Sequence, residues 1–123
     1  SENKVLCHPG SVDSIPTSAN QEDHNSMGSI SAQKAWRVLR NAQTVLAIEV
    51  LCASQGLDFA KLLLPGRTMR AGAGVEAAHR MVRNRIPHLN RDRVIHTDIQ
   101  KAYDLVVSGE LQRAVEKAVG RLP

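Results

Sequence analysis

Aromatic side chains are nearly missing from this chain of 123 residues, which has one Trp, one Tyr and one Phe. A free-standing globule of this size usually carries more of them, so the core must be built from Ala, Val, Leu and Ile. Such small aliphatic side chains suit close helix packing, and equally a piece that packs inside something larger. Cysteine is scarce too. Cys7 and Cys52 are the only two, which excludes a disulfide framework and fits reduced thiols in a cytoplasmic protein. Cys7-His8 is half a metal site with no second Cys/His pair at ligand spacing, so no metal is expected and Cys7 reads as a small buried thiol. No apolar run approaches the roughly twenty residues that span a bilayer, and no charged-then-apolar leader is present. A soluble protein without membrane contact is expected.

Charge is present but uninformative about partners. The net charge of +4 and the pI of about 9.5 come mainly from arginines between Arg67 and Arg93, with acids interspersed along the chain. Without aromatic interleaving for base stacking, these arginines read as a solvated or intersubunit ion-pair face, and no nucleic-acid partner is expected.

The pattern divides the chain into residues 1–26, an irregular loop segment rich in Ser, Thr, Asn, Asp and Pro, and residues 27–123, a helical region. From Ser26 to Gln55, Trp36, Leu39, Gln43, Leu46 and Val50 recur at three- and four-residue steps, with Gly56 as the stop. The second half of that helix, Val45 to Ala53, is apolar nearly all round and should be covered on several sides. Glu49 within it reads as a buried, paired acid. Leu57 to Leu64 is a short apolar stretch closed by Pro65-Gly66, and Arg67 to Gly74 a loop. Gly72-Ala73-Gly74 has the look of a dinucleotide loop, but no strand precedes it. Further helices are expected over 74–85 (Val75, Ala78, Met81 and Val82 inward), from Thr97 or His96 to Val107 (Ile99, Ala102, Tyr103 and Val106 inward), and over 110–119, ending at Gly120. The fold class is all-α, a helical bundle with an irregular N-terminal loop.

Within that loop, residues 16–28 pack an amide pair, an acidic pair, a histidine and an asparagine into one stretch without hydrophobic rhythm. A long apolar helix follows at once, so the cluster sits where helix amides point outward and anions are favoured. Asp23 and Ser26 suit helix-start positions, and His24 suits a role in orienting the loop. Glu22 and Asp23 are adjacent and point to different sides if extended, so they must serve separate roles.

The run Ser1-Glu2-Asn3-Lys4, then Pro9, then Ser11 to His24 through Thr17-Ser18-Ala19-Asn20-Gln21-Glu22-Asp23, with Ser26-Met27-Gly28 behind, closely resembles the C-terminal part of the histidine ammonia-lyases. These are members of the aromatic amino acid lyase family. The likeness continues through Val45 to Leu51, Gln55 to Phe59, Arg91-Asp92-Arg93 and Asp98-Ile99, covering most of the chain. It implies an active-site loop whose glutamate, here Glu22, is catalytic and faces the bound L-histidine. Gln21 and Asn20 become candidates for holding the substrate carboxylate or Glu22 itself, with loop-internal hydrogen bonding as the alternative.

The resemblance also implies elimination of ammonia from histidine to give trans-urocanate, and a homotetramer whose sites are shared between subunits. The family's electrophile is a methylidene-imidazolone made from an Ala-Ser-Gly triplet, and an essential tyrosine takes the β-proton. No such triplet occurs here, and Tyr103 is the only tyrosine. The remainder of an enzyme chain is therefore an implied partner. Related phenylalanine and tyrosine ammonia-lyases place glutamine at the position of Glu22, which favours histidine. Asn25 is shared with the phenylalanine-specific relatives and Cys7 replaces a common alanine. A phenylalanine- or tyrosine-directed relative, or a helical interaction module without chemistry, remain the alternatives.

Overall fold

A computed structural model describes residues 1–13, 15–21, 26–63 and 71–123. Among them all regular structure is helical: α1 (Glu2–Leu6), α2 (Gly28–Leu63), α3 (Ala73–Arg83), α4 (His96–Val107) and α5 (Glu110–Val119), with short 3-10 turns at Gly10–Asp13 and Ser18–Asn20. The chain forms two compact units, Ser1–Ala42 and Gln43–Pro123.

In the first unit, residues 1–26 are more regular than their composition suggests. Glu2 in the first turn of α1 and Lys4 in its last complement the helix dipole, and both ends of the turn find partners on α2. Arg37 donates to Glu2 Oε1 at 2.8 Å, Asn41 Nδ2 donates to Asn3 Oδ1 at 2.8 Å, and Lys34 Nζ donates to the His8 carbonyl. The Arg37–Glu2 pair is exposed on both sides and contributes at most about 1 kcal/mol. Leu6 is the buried residue of α1. Cys7, one residue on, is exposed, because a step of one residue in a helical turn carries the side chain to another face. The expectation of a buried thiol is thus corrected.

The second unit has a small aliphatic core of Ala47, Val82, Ile86, Ala102 and Leu105, with Val50, Leu51, Met81, Tyr103 and Leu111 packed against it. The scarcity of aromatics is met as the composition required. Trimming one methyl group from the fully buried Ile86 (Ile86→Val) is expected to cost about 1 kcal/mol, read as a shift in the urea midpoint. Helix α3 packs on α5, and α4 on α5. A Cβ at Gly74 would lie 3.2 Å from Val115 Cγ1, so any larger residue there would have to push α5 side chains back by a few tenths of an ångström. Gly109 sits between α4 and α5 at φ +72°. Gly109→Ala is expected to destabilise by about 1 kcal/mol in the same assay, because an L side chain is strained there.

Several expectations are corrected. Gly56 does not stop α2, which continues to Leu63; a right-handed glycine costs a helix only about 1 kcal/mol relative to alanine, and contacts made by Gln55 and Asp58 on either side outweigh that. The second half of α2 is covered on one face alone among the described residues: Ala47 is buried with Val50 and Leu51 beside it, while Val45 is 62% exposed and Leu46 49%. Glu49 is exposed, not a buried acid. Val75 turns outward on α3 while Ala77 is buried, and on α4 Asp98 and Leu105 are buried as well as Ala102; Val82 and Ala102 are buried as expected, with Met81 and Tyr103 packed against them. Pro65-Gly66 and the first part of the loop expected over Arg67 to Gly74, up to Arg70, lie outside the described residues, and α3 begins at Ala73, one residue earlier than expected. No helix among the described residues is long and apolar enough to cross a membrane. Three of the described arginines in this stretch form ion pairs within the chain: Arg83 with Asp58 at 2.8 Å, Arg85 with Glu110, and Arg93 with Asp98 at 2.8 Å.

Candidate functional site

The polar loop is led by an unusual turn. Thr17 is extended, and then Ser18, Ala19 and Asn20 all take left-handed conformations with φ of 53°, 54° and 68°. Each L residue held there costs roughly 1–2 kcal/mol, least for Asn, whose short amide tolerates the region. Gln21 closes the turn, its N–H donating to the Ser18 carbonyl at 3.1 Å. The Asn20 and Gln21 side chains are adjacent and exposed. Glu22, Asp23, His24 and Asn25 lie outside the described residues. Beyond them the Gly28 N–H donates to Ser26 Oγ at 3.4 Å, so Ser26 takes the helix-start position its side chain suits. Backbone strain concentrated directly before a polar cluster is characteristic of segments whose geometry serves binding or catalysis.

Tyr103, the only tyrosine, sits half-buried in the second unit, its hydroxyl donating to Gln43 Oε1 at 3.1 Å. That is a structural bond between α4 and α2.

A second polar cluster was not anticipated from the sequence. Asp58 on α2 is the hub: His79 Nε2 lies 2.7 Å from Oδ1, and Arg83 Nε and His88 Nδ1 each lie 2.8 Å from Oδ2. One turn earlier, Gln55 accepts from the Leu89 N–H at 3.1 Å and from Arg83 at 3.3 Å, and its amide donates to the Leu89 carbonyl at 3.0 Å. Burial raises the Asp58 carboxyl, but hydrogen bonds from His88 and His79 and the Arg83 charge prevail and hold it below 3.8. Nearby, Lys61 holds the Glu76 carboxyl below its ordinary value, with the Ala71 N–H assisting against partial desolvation. Spacing carries only half of the signal for the Asp58 cluster: Gln55 and Asp58 share a face of α2, and His79 and Arg83 a face of α3, but nothing local pairs the two faces.

Beside the cluster lies an apolar groove of about 440 Å³, with Ile48, Leu51, Phe59 and Ile99 among its lining and Arg83, Arg93 and Asp98 at its polar edge. Among the described residues no group of three or more His, Cys, Asp or Glu side chains is placed to hold a metal ion. The chain also contains no Ala-Ser-Gly triplet. Its residues therefore do not furnish a methylidene-imidazolone.

The family model for aromatic amino acid lyases matches residues 1–84. The chain belongs to the aromatic amino acid lyase family. It is 54% identical over 122 residues to a histidine ammonia-lyase of Sorangium cellulosum, covering 99% of this chain and 23% of that protein. Among solved structures it resembles histidine ammonia-lyase from Trypanosoma cruzi with a TM-score of 0.82 and 45% identity, over 96% of this chain and 22% of that one. It also resembles tyrosine aminomutase from Streptomyces globisporus with a TM-score of 0.80 and 34% identity, over 93% of this chain and 21% of that one. The chain thus spans less than a quarter of the length of the relatives it matches.

Proposed function

We propose that this chain is the C-terminal part of a histidine ammonia-lyase and contributes the Asn20-Gln21-Glu22 loop to an active site that eliminates ammonia from L-histidine to give trans-urocanate. The observation that carries this reading is the identity of about half over nearly the whole chain to histidine ammonia-lyases, together with an acid at position 22. A carboxylate can accept a hydrogen bond from the substrate imidazole N–H or assist proton movement at the amino group, whereas a glutamine cannot act as a base. Glu22 is assigned that catalytic role. Asn20 and Gln21, presented by the strained turn, hold the substrate carboxylate or orient Glu22.

The methylidene-imidazolone and the β-proton acceptor come from other parts of the full-length enzyme. A cytoplasmic homotetramer is the expected setting, because shared sites explain why so much apolar surface on α2 stays exposed in the single chain. The likeness to a tyrosine aminomutase and the asparagine at position 25 favour, as the second reading, a relative acting on another aromatic amino acid. Incubating the full-length protein with L-histidine and following ultraviolet absorbance tests the proposal. Urocanate formation is expected; its absence with intact, folded protein would remove the assignment.

A further inference from the structure

The bonding around His88 leaves its ring one arrangement. The Gln55 amide cannot be turned over, because its oxygen accepts from a backbone N–H and its nitrogen donates to a backbone carbonyl, both of Leu89. Its nitrogen, 3.1 Å from His88 Nε2, is therefore the donor, and Nε2 must offer a lone pair. On the other side of the ring, Nδ1 faces the Asp58 carboxylate at 2.8 Å, which only accepts, so Nδ1 carries the hydrogen. All bonds are made only by the neutral Nδ1–H tautomer. A second proton would set an Nε2–H against the Gln55 N–H groups.

We propose that His88 is a proton-sensitive latch: neutral, it ties residues 86–89 to α2, and a proton at Nε2 opens the tie. The groups around it define the balance. From α2 come Gln55, Asp58 and the Phe59 ring, whose centroid is 5.5 Å away in an edge contact. From α3 come His79 and Arg83, joined to the same carboxylate. From the following loop comes Arg93, which donates to the His88 carbonyl at 3.2 Å and to the Pro87 carbonyl at 2.8 Å. Arg93 is itself paired with the buried Asp98 of α4. Asp58 attracts the second proton, while Arg83, Arg93 and the Gln55 amide oppose it. Because Gln55, Arg83, Pro87 and Leu89 also line the apolar groove, opening the latch loosens one wall of that groove.

The Leu89 amide, bonded to Gln55, reports the latch through hydrogen exchange in the full-length protein. Protection corrected for chemical exchange is compared at about pH 8 and about pH 5, either side of the ordinary histidine range. Asp58 remains ionised at both. Protection of Leu89 is expected to fall about tenfold on acidification. The fall should vanish in His88→Asn, whose amide N–H replaces Nδ1–H without titrating, and persist in His79→Gln. Gln55→Glu, which puts an acceptor opposite Nε2, should reverse its sign, and it decides the matter if His88→Asn does not fold. Equal protection at both pH values, or a fall that survives His88→Asn or is abolished by His79→Gln, would overturn the proposal.

Discussion

Replacing Glu22 by glutamine in the full-length enzyme is expected to lower kcat for histidine by about 10²–10⁴-fold, the range a positioned acid–base group contributes. The substitution keeps size and polarity while removing the ability to take a proton, so folding and assembly should be little affected. If Glu22 also bonds the imidazole N–H, KM rises as well, because a glutamine oxygen accepts more weakly than a carboxylate. Steady-state measurement of urocanate production separates the two effects. A variant with near-normal turnover would strip Glu22 of its role and leave the acidic pair as loop structure.

Asp58→Ala is expected to destabilise the fold by about 4 kcal/mol, because it leaves the half-buried Arg83 and two histidines without their common acceptor. Denaturant unfolding reads this directly. The pH dependence carries a second signature. The folded carboxyl lies below its ordinary 3.8, so its contribution is complete above about pH 4 and is lost as pH falls through the lowered folded value. Asp58→Ala should be less stable than the parent at neutral pH and should lack this acid-limb component. A variant within about 1 kcal/mol of the parent would show that the cluster merely decorates the surface of α2.

How far residues alone disclosed this structure depends on whether the deciding forces were local. The starts of α4 and α5, and the ends of α4 and α5 at Ser108 and Gly120, follow from local chemistry: apolar periodicity, a glycine at φ +72° and another at φ +89°. Gly56 has the local character of a helix stop, yet α2 runs through it because local propensity is weak against long-range bonding, here from Gln55 and Asp58 to residues 79–89. Leu6 and Cys7 show a different limit, since a helix of only five residues is too short to establish which face is buried. Asn20 and Gln21 could be singled out as polar groups in a loop. The left-handed turn that presents them has no sequence signature, because Ser and Ala ordinarily avoid that region. The Asp58 cluster was hidden for a related reason: its members are dispersed between residues 55 and 89 and meet only after α3 packs.

The central claim, that the acid at position 22 belongs to an enzyme acting on histidine, is tested most directly by comparing kcat/KM of the full-length protein for L-histidine, L-phenylalanine and L-tyrosine. Histidine should be preferred by at least about 10²-fold, since a site built to bond a ring N–H leaves its polar groups unpaired with an apolar ring. Preference for tyrosine or phenylalanine would contradict the account and move the chain to the other branch of its family.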